Sequence, residues 1–207
     1  MNAEPAHPAA AVALTGEEMA WLLRKARRTV EEAVVGRRSE PEAEGQVPER
    51  LRERRGCFVT LWKGGALRGC IGNVLPRDPL HQMIAANARA AALEDVRFSP
   101  VTPEEVPRLV VEVSVLTPPK LLAHTDAEDL LNRLVPHRDG VFLQIGPRAA
   151  TFLPQVWARL PEPSVFLSRL AEKAGCAAND WQRPDAQVLV YQAQWLEEAA
   201  PGHVGGN

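Results

Sequence analysis

Apolar residues recur at helical spacing first at Met19, Leu22, Leu23, Ala26, Val30, Ala33 and Val34. Thr15-Gly16-Glu17-Glu18 precedes them in the order of a capping box, in which hydroxyl and carboxylate each satisfy an orphan backbone donor, and Gly36 stops the run. The pattern therefore predicts a first helix. Two short strand-like runs follow, 57–62 and 66–71, on either side of Gly64-Gly65, a pair that supplies the positive φ angles of a tight hairpin. Asp78-Pro79 has the form of an N-cap and first helical residue, opening a helix with Leu80, Met83, Ile84, Asn87, Ala88 and Ala91 on one face. Thr102-Pro103-Glu104-Glu105 repeats the cap for a single turn, and a Val-rich strand over 109–116 ends at Pro118-Pro119. A capped helix from Thr125 to about 134 comes next, then strands 141–145 and 149–153 paired around Pro147-Arg148. A helix over 164–174 stops at Gly175, and 187–192 is the final strand.

Strands come as hairpin neighbours and do not alternate one for one with helices, which excludes a doubly wound parallel sheet and predicts an α+β fold with a central, largely antiparallel sheet flanked by helices. One domain is expected over 15–198, with disordered tails over 1–14 (Ala/Pro-rich) and 199–207 (Gly-rich) and a surface loop over 37–50. The length of 207 residues suffices for a core without staples. Charge changes the picture mainly by exclusion: 24 Lys plus Arg against 26 Asp plus Glu gives no bulk reason to expect nucleic acid or an anionic membrane. Arg50, Arg52, Arg54 and Arg55 are interleaved with Glu49 and Glu53 and read as a solvated face rather than a phosphate-binding one. No run approaches the roughly 18 apolar residues of a membrane span, so no membrane partner and a cytoplasmic location are expected. Cys57, Cys70 and Cys176 lack Cys-x-x-Cys spacing and the histidines show no paired spacing, so reduced thiols and no metal are expected. No Walker loop or Gly-x-Gly-x-x-Gly is present, and no cofactor is expected.

The chemistry concentrates in Leu67-Arg68-Gly69-Cys70-Ile71-Gly72-Asn73. Counting outward from a two-residue turn puts Leu61 opposite Arg68 and Val59 opposite Cys70. Arg68 and Cys70 then share one face, while Phe58, Thr60, Trp62, Leu67 and Ile71 form the more apolar face that should pack on the core. A guanidinium beside a partly exposed thiol would lower its pKa. Glycine at 69 and 72 leaves room for a bulge, a ligand or a second backbone. The alternative is that Cys70 is a small buried hydrophobe, because no neighbouring His supplies a base. His137-Arg138-Asp139-Gly140 could hold a base and its orienter but has the composition of a turn.

Gly56-Cys57-Phe58-Val59-Thr60-Leu61, Leu67 to Gly72, Arg97-Phe98-Ser99-Pro100-Val101, Glu112 to Pro119 and Leu153-Pro154-Gln155-Val156 together closely resemble the AMMECR-type domain, whose prokaryotic members are called AmmeMemoRadiSam system protein A. The motifs fall in order over nearly all of 15–198. The resemblance implies an α+β domain with a central antiparallel sheet, a smaller subdomain beside it and a cleft near the Arg-Gly-Cys-Ile-Gly strand. It also implies association with Memo-like proteins, which resemble metal-dependent aromatic-ring dioxygenases, and with radical SAM enzymes. Where the family tends to have Asp-Pro-Arg-Phe this chain has Asp95-Val96-Arg97-Phe98, so Asp95, Arg97 and Phe98 carry over.

Two readings follow. In one, the domain is a non-catalytic binding partner that presents or shields a substrate for a Memo-like protein and a radical SAM enzyme. In the other, Cys70 is a thiolate nucleophile or adduct acceptor in small-molecule or protein/RNA modification, Arg68 activates it, and peptide N–H groups from Gly69 to Asn73 receive an anionic or carbonyl oxygen. Gly69, Gly72, Asn73, Arg97 and Gln155 are the expected binding residues.

Overall fold

The computed structural model describes residues 13–36 and 47–199. In chain order the elements are α1 (Gly16–Val35), β1 (Cys57–Lys63), β2 (Ala66–Asn73), α2 (Leu80–Leu93), β3 (Leu109–Leu116), β4 (Lys120–Leu121), α3 (Ala127–Arg133), β5 (Gly140–Ile145), β6 (Arg148–Phe152), α4 (Pro163–Lys173), β7 (Ala186–Tyr191) and β8 (Ala193–Glu197), with short 3-10 turns between several of them. The fold is α+β with antiparallel pairing, and the strands divide into two four-stranded sheets, β2-β1-β3-β8 and β4-β7-β5-β6. These sheets belong to two compact units: the segments up to Val115 and from Gln194 onward form the first, and Leu116–Ala193 the second.

In the first unit α1 starts where the sequence places it. The Thr15 hydroxyl accepts the Glu18 N–H at 3.2 Å, the Glu18 carboxylate accepts the Thr15 N–H at 2.7 Å, and Gly36 ends the helix at φ 77°. The cap expected for α2 is shifted: Pro79, not Asp78, precedes the first helical residue, and no side chain bonds the helix end. The predicted α2 face is nevertheless the buried one. β8, absent from the sequence reading, pairs beside β3. Gln194 explains its docking, because its side-chain amide accepts the Leu14 N–H and donates to the Leu14 carbonyl, both at 2.8 Å. Leu14, expected in the N-terminal tail, is therefore buried. The rest of that tail, the C-terminal tail beyond Ala199 and the loop over 37–46 lie outside the described residues.

The hairpin holds the main correction. Lys63 opposes Ala66 and Trp62 opposes Leu67 as expected, but Leu61 then opposes Gly69 instead of Arg68. Arg68 is an extra residue, a β-bulge, and from it onward β2 is displaced by one position. Thr60 opposes Cys70, and Val59 opposes Ile71. Since a one-residue slip sends every later side chain to the other face, Ile71 moves to the face of Val59 and Leu61 and Cys70 to that of Thr60; because the core face is reversed as well, Ile71 lies on the core side and Cys70 off it, as expected. The core face is also the reverse of the expected one: Cys57, Val59 and Leu61 of β1 and Val111, Val113 and Val115 of β3 are buried in the cluster with Met19, Leu22, Ile84 and Ala88. Phe58, Thr60 and Trp62 stand on the opposite face. Large aromatic side chains suggested the core, but the small and β-branched set fits closer under α2. Gly69 shows how close: a Cβ there would meet the Ala91 carbonyl oxygen at 2.2 Å.

The arginine cluster is only partly a solvated face. Arg50 donates to Glu18 at 3.2 Å and to the Ala13 carbonyl at 2.8 Å, and Arg55 is buried.

The second unit buries Leu130, Leu143, Trp157, Phe166 and Leu167, with the Trp157 and Phe166 rings stacked at 3.7 Å. Its hairpin turns on Gly146-Pro147 and not Pro147-Arg148, because Ile145 pairs with Arg148 and Gly146 takes φ 57°. Asp126, not Thr125, caps α3 by accepting the Asp129 N–H at 2.8 Å. Beyond Pro118-Pro119 the chain extends again as β4.

Candidate functional site

β2 is an edge strand, so alternate backbone groups point away from β1 with no ladder partner. At Cys70 these groups are closed by the Asp95–Phe98 loop. The Cys70 N–H donates to the Asp95 carboxylate at 2.8 Å, and the Arg97 guanidinium donates to the Cys70 carbonyl at 3.1 Å. Asp95 and Arg97 are joined by two further bonds of 2.9 and 2.7 Å, so a side-chain pair replaces a missing strand. Arg97 and the bonded backbone hold the Asp95 carboxyl down at about 2. The anionic oxygen that the Cys70 N–H receives is thus the protein's own.

With its backbone bonds turned outward, Cys70 forms a non-hydrogen-bonded pair with Thr60, the arrangement in which side chains approach most closely. The Thr60 hydroxyl donates to the Cys70 Sγ at 3.2 Å. The thiol is half-buried, and burial pushes its pKa up; the Thr60 hydrogen bond and the charge of Arg97 oppose this, while Glu112 and Asp95 add to it. A lowered pKa was expected from Arg68, and the bulge explains the difference. Arg68 is bidentate on Glu105, at 3.1 and 2.9 Å, and Lys63 meets the same carboxylate at 2.6 Å. Those two cations hold Glu105 well below the usual carboxylate range. The Phe98 ring contacts both guanidinium groups, 5.9 Å from Arg68 and 5.5 Å from Arg97. Cys57 is a core thiol that burial pushes up to about 12, against the opposing effect of the bond from the buried Asn87 amide.

The two glycines serve packing. Gly69 admits the α2 backbone, and Gly72 lies under the Phe58 ring, which a Cβ would meet at 2.2 Å. Asn73 is exposed at the end of β2, opposite Cys57. Gln155 is exposed on a 3-10 turn of the second unit. His137 is an exposed turn residue at φ 64°, and Asp139 beside it accepts the Val135 N–H at 3.0 Å. A cavity of about 690 Å³ beside α1 contains none of the sequence-predicted residues. Arg27 on its wall is bonded to Glu198 and to the Val106 and Leu109 carbonyls.

The sequence reading missed Glu112, Ser114 and Trp62. The Glu112 carboxylate accepts the Trp62 indole N–H at 3.0 Å and the Ser114 hydroxyl at 3.3 Å, on the face that carries Thr60 and Cys70. Its signal was available: in Leu109–Leu116, Leu109, Val111, Val113 and Val115 alternate with Val110, Glu112 and Ser114. Among the described residues no group of three or more His, Cys, Asp or Glu is placed to hold a metal, and no helix is long and apolar enough to cross a membrane.

The family model AMMECR1 matches residues 23–196, spanning every element of this site. The chain belongs to the AMMECR1 family. Among curated relatives, Protein MJ0810 of Methanocaldococcus jannaschii is 36% identical over 91% of this chain and 94% of its own length. Protein TK0174 of Thermococcus kodakarensis is 40% identical over 87% and 90%. The crystal structure of the uncharacterized protein PH0010 from Pyrococcus horikoshii superposes with a TM-score of 0.84 at 36% identity, covering 91% of this chain and 95% of that one. The likeness thus extends over 90% or more of each of these relatives, and the Arg68 bulge and the Asp95–Arg97 clamp lie inside the matched region.

Proposed function

We propose that this AMMECR1-family protein is a binding partner that acts with a Memo-like protein and a radical SAM enzyme, presenting or shielding their substrate, and is not itself a thiol enzyme. The observation that carries this reading is the state of Cys70. Its thiol is half-buried, raised in pKa by that burial, engaged by the Thr60 hydroxyl, and among the described residues has no histidine or carboxylate bonded to Sγ that could take its proton. A nucleophile wants the opposite on each count. The clamp on the outward-pointing Cys70 N–H and carbonyl holds this stretch of the edge strand in place, which suits recognition because little conformational entropy is lost on binding.

The test is co-expression of the tagged chain with the Memo-like and radical SAM proteins of its own source organism, followed by size-exclusion chromatography and intact-mass measurement. Co-elution with either partner, with Cys70 unmodified, is expected. Failure to associate with both, or a stoichiometric adduct on Cys70 that forms during turnover, overturns the reading, and the adduct would establish the covalent alternative with Asn73 and Arg97 to be tested as substrate contacts.

A further inference from the structure

The face of the first sheet opposite α2 carries a transverse row of three side chains, Cys70 on β2, Thr60 on β1 and Glu112 on β3, each directly opposite the next in register. Adjacent Cβ atoms in such a row are about 5 Å apart, so it spans roughly 10 Å. Phe58 and Trp62, two residues to either side of Thr60, flank it with half-buried aromatic rings. Glu112 is oriented by two neutral donors, the Trp62 indole and the Ser114 hydroxyl, and Ser114 is itself only 1% exposed. Two donors leave a carboxylate with unused lone pairs. Among the described residues Glu112 has no ion-pair partner, although carboxylates nearby do: Asp95 holds Arg97, and Glu105 holds Arg68 and Lys63. A half-buried carboxylate fixed in place, lacking a counter-cation and standing between aromatic rings, has the chemistry of a cation receptor.

We propose that Glu112, with Thr60 and Cys70 beside it and Trp62 and Phe58 as walls, recognises a cationic nitrogen group, an ammonium or guanidinium, on the molecule this protein binds. The proposal rests on the binding-partner reading and names the chemistry of the bound group. Cys70 here is a neutral neighbour that shapes the row, and the buried Thr60 turns its hydroxyl proton toward sulfur, so that the charge of the row is that of Glu112 alone. The group can belong to a small molecule or to a Lys or Arg side chain of a protein partner.

The experiment uses the full chain and n-butylguanidinium and n-butylammonium as probes, with n-butanol as the neutral control. The indole N–H resonance of Trp62, identified by its loss in Trp62→Phe, is followed by NMR through a titration. A saturable shift with either cation and none with butanol is expected. Glu112→Gln, which keeps the shape and removes the charge, should weaken it by about tenfold or more, in line with the value of a hydrogen bond to a charged group, while Glu112→Asp should retain part of it. Circular dichroism of both variants guards against misfolding, and Glu112→Asp reads the site should Glu112→Gln unfold. No saturable shift with either cation, or equal shifts in wild type and Glu112→Gln, overturns the proposal. An Arg- or Lys-containing peptide that binds more tightly than butylguanidinium and butylammonium assigns the group to a protein partner, and equal binding assigns it to a small molecule. The probes need no partner protein, so a negative titration beside successful co-elution rejects the cation site alone.

Discussion

The two faces of the β1–β2–β3 sheet alternate residue by residue along the same strands, yet they do different work. Against α2 stand Val59, Leu61, Val111 and Val113, all inaccessible, and Gly69, which lets the helix backbone approach. On the other face stand Thr60, Cys70, Glu112 and Ser114 between two aromatics. The first face is bound by volume, since a closely packed interior penalises a change of one methylene. The second is bound by hydrogen bonds that fix direction more than volume. The contrast teaches that aromatic content is a poor guide to which face of a sheet is the core: Phe58 and Trp62 lie on the polar side, where a large ring can wall a site and an indole N–H can orient a carboxylate.

That contrast can be broken by mutation. Leu61→Ala, which opens a cavity under α2, should cost about 2–5 kcal/mol in urea denaturation, whereas Thr60→Val on the neighbouring position should cost about 0.5–1.5 kcal/mol, the worth of one hydrogen bond; equal costs would mean that both faces are packed alike. Gly69→Ala should be next in size at about 1–3 kcal/mol, because the clash is with backbone and the helix must shift; Cys70→Ala, one residue away on the other face, should fall well below it.

The edge clamp gives a smaller effect with a defined pH signature. Asp95→Asn keeps an acceptor for the Cys70 N–H but loses the charge, and with Arg97 half exposed the cost should be about 1 kcal/mol at neutral pH. Because the Asp95 carboxyl lies lower in the folded chain, at about 2, than in the unfolded one, its contribution is present above the ordinary carboxylate pKa of about 3.9 and is lost as pH falls toward 2. Asp95→Asn should therefore flatten the acid limb of stability between those values. Glu105 acts in the same direction, so a residual slope should remain and shrink further in the double variant with Glu105→Gln.

Thiol titration gives the smallest and sharpest readout. Alkylation of Cys70 should show a pH midpoint above the usual thiol value of about 8.5 and should precede that of Cys57. Arg97→Met should raise the midpoint further, while Arg68→Met should leave it nearly unchanged because Arg68 is occupied by Glu105. A midpoint below the usual value, or a response to Arg68→Met alone, would restore the activated-thiol picture.

What the sequence by itself determined is local. The Thr15–Glu18 box, the Gly36 and Gly175 stops, the Gly64-Gly65 turn and the buried α2 face depend on interactions within a few residues, and each is found where its pattern stands. The grouping of Cys70, Arg97 and Asp95 was legible only as motif resemblance, with no sign of which atom meets which. Tertiary structure decided the rest. Gly69 leaves room for a bulge, but nothing in Leu67-Arg68-Gly69 announces that Arg68 is the bulged residue; Glu105, itself held by Lys63, and the Pro100 carbonyl meet Arg68 beyond the sheet edge while Ala91 of α2 meets Gly69 across it. That one inserted residue turned Cys70 to the face of Thr60 and Glu112. A strand's alternation has a period of two, so its phase is set wherever the register is set, and here the register is set by contacts some twenty to forty residues away in the chain.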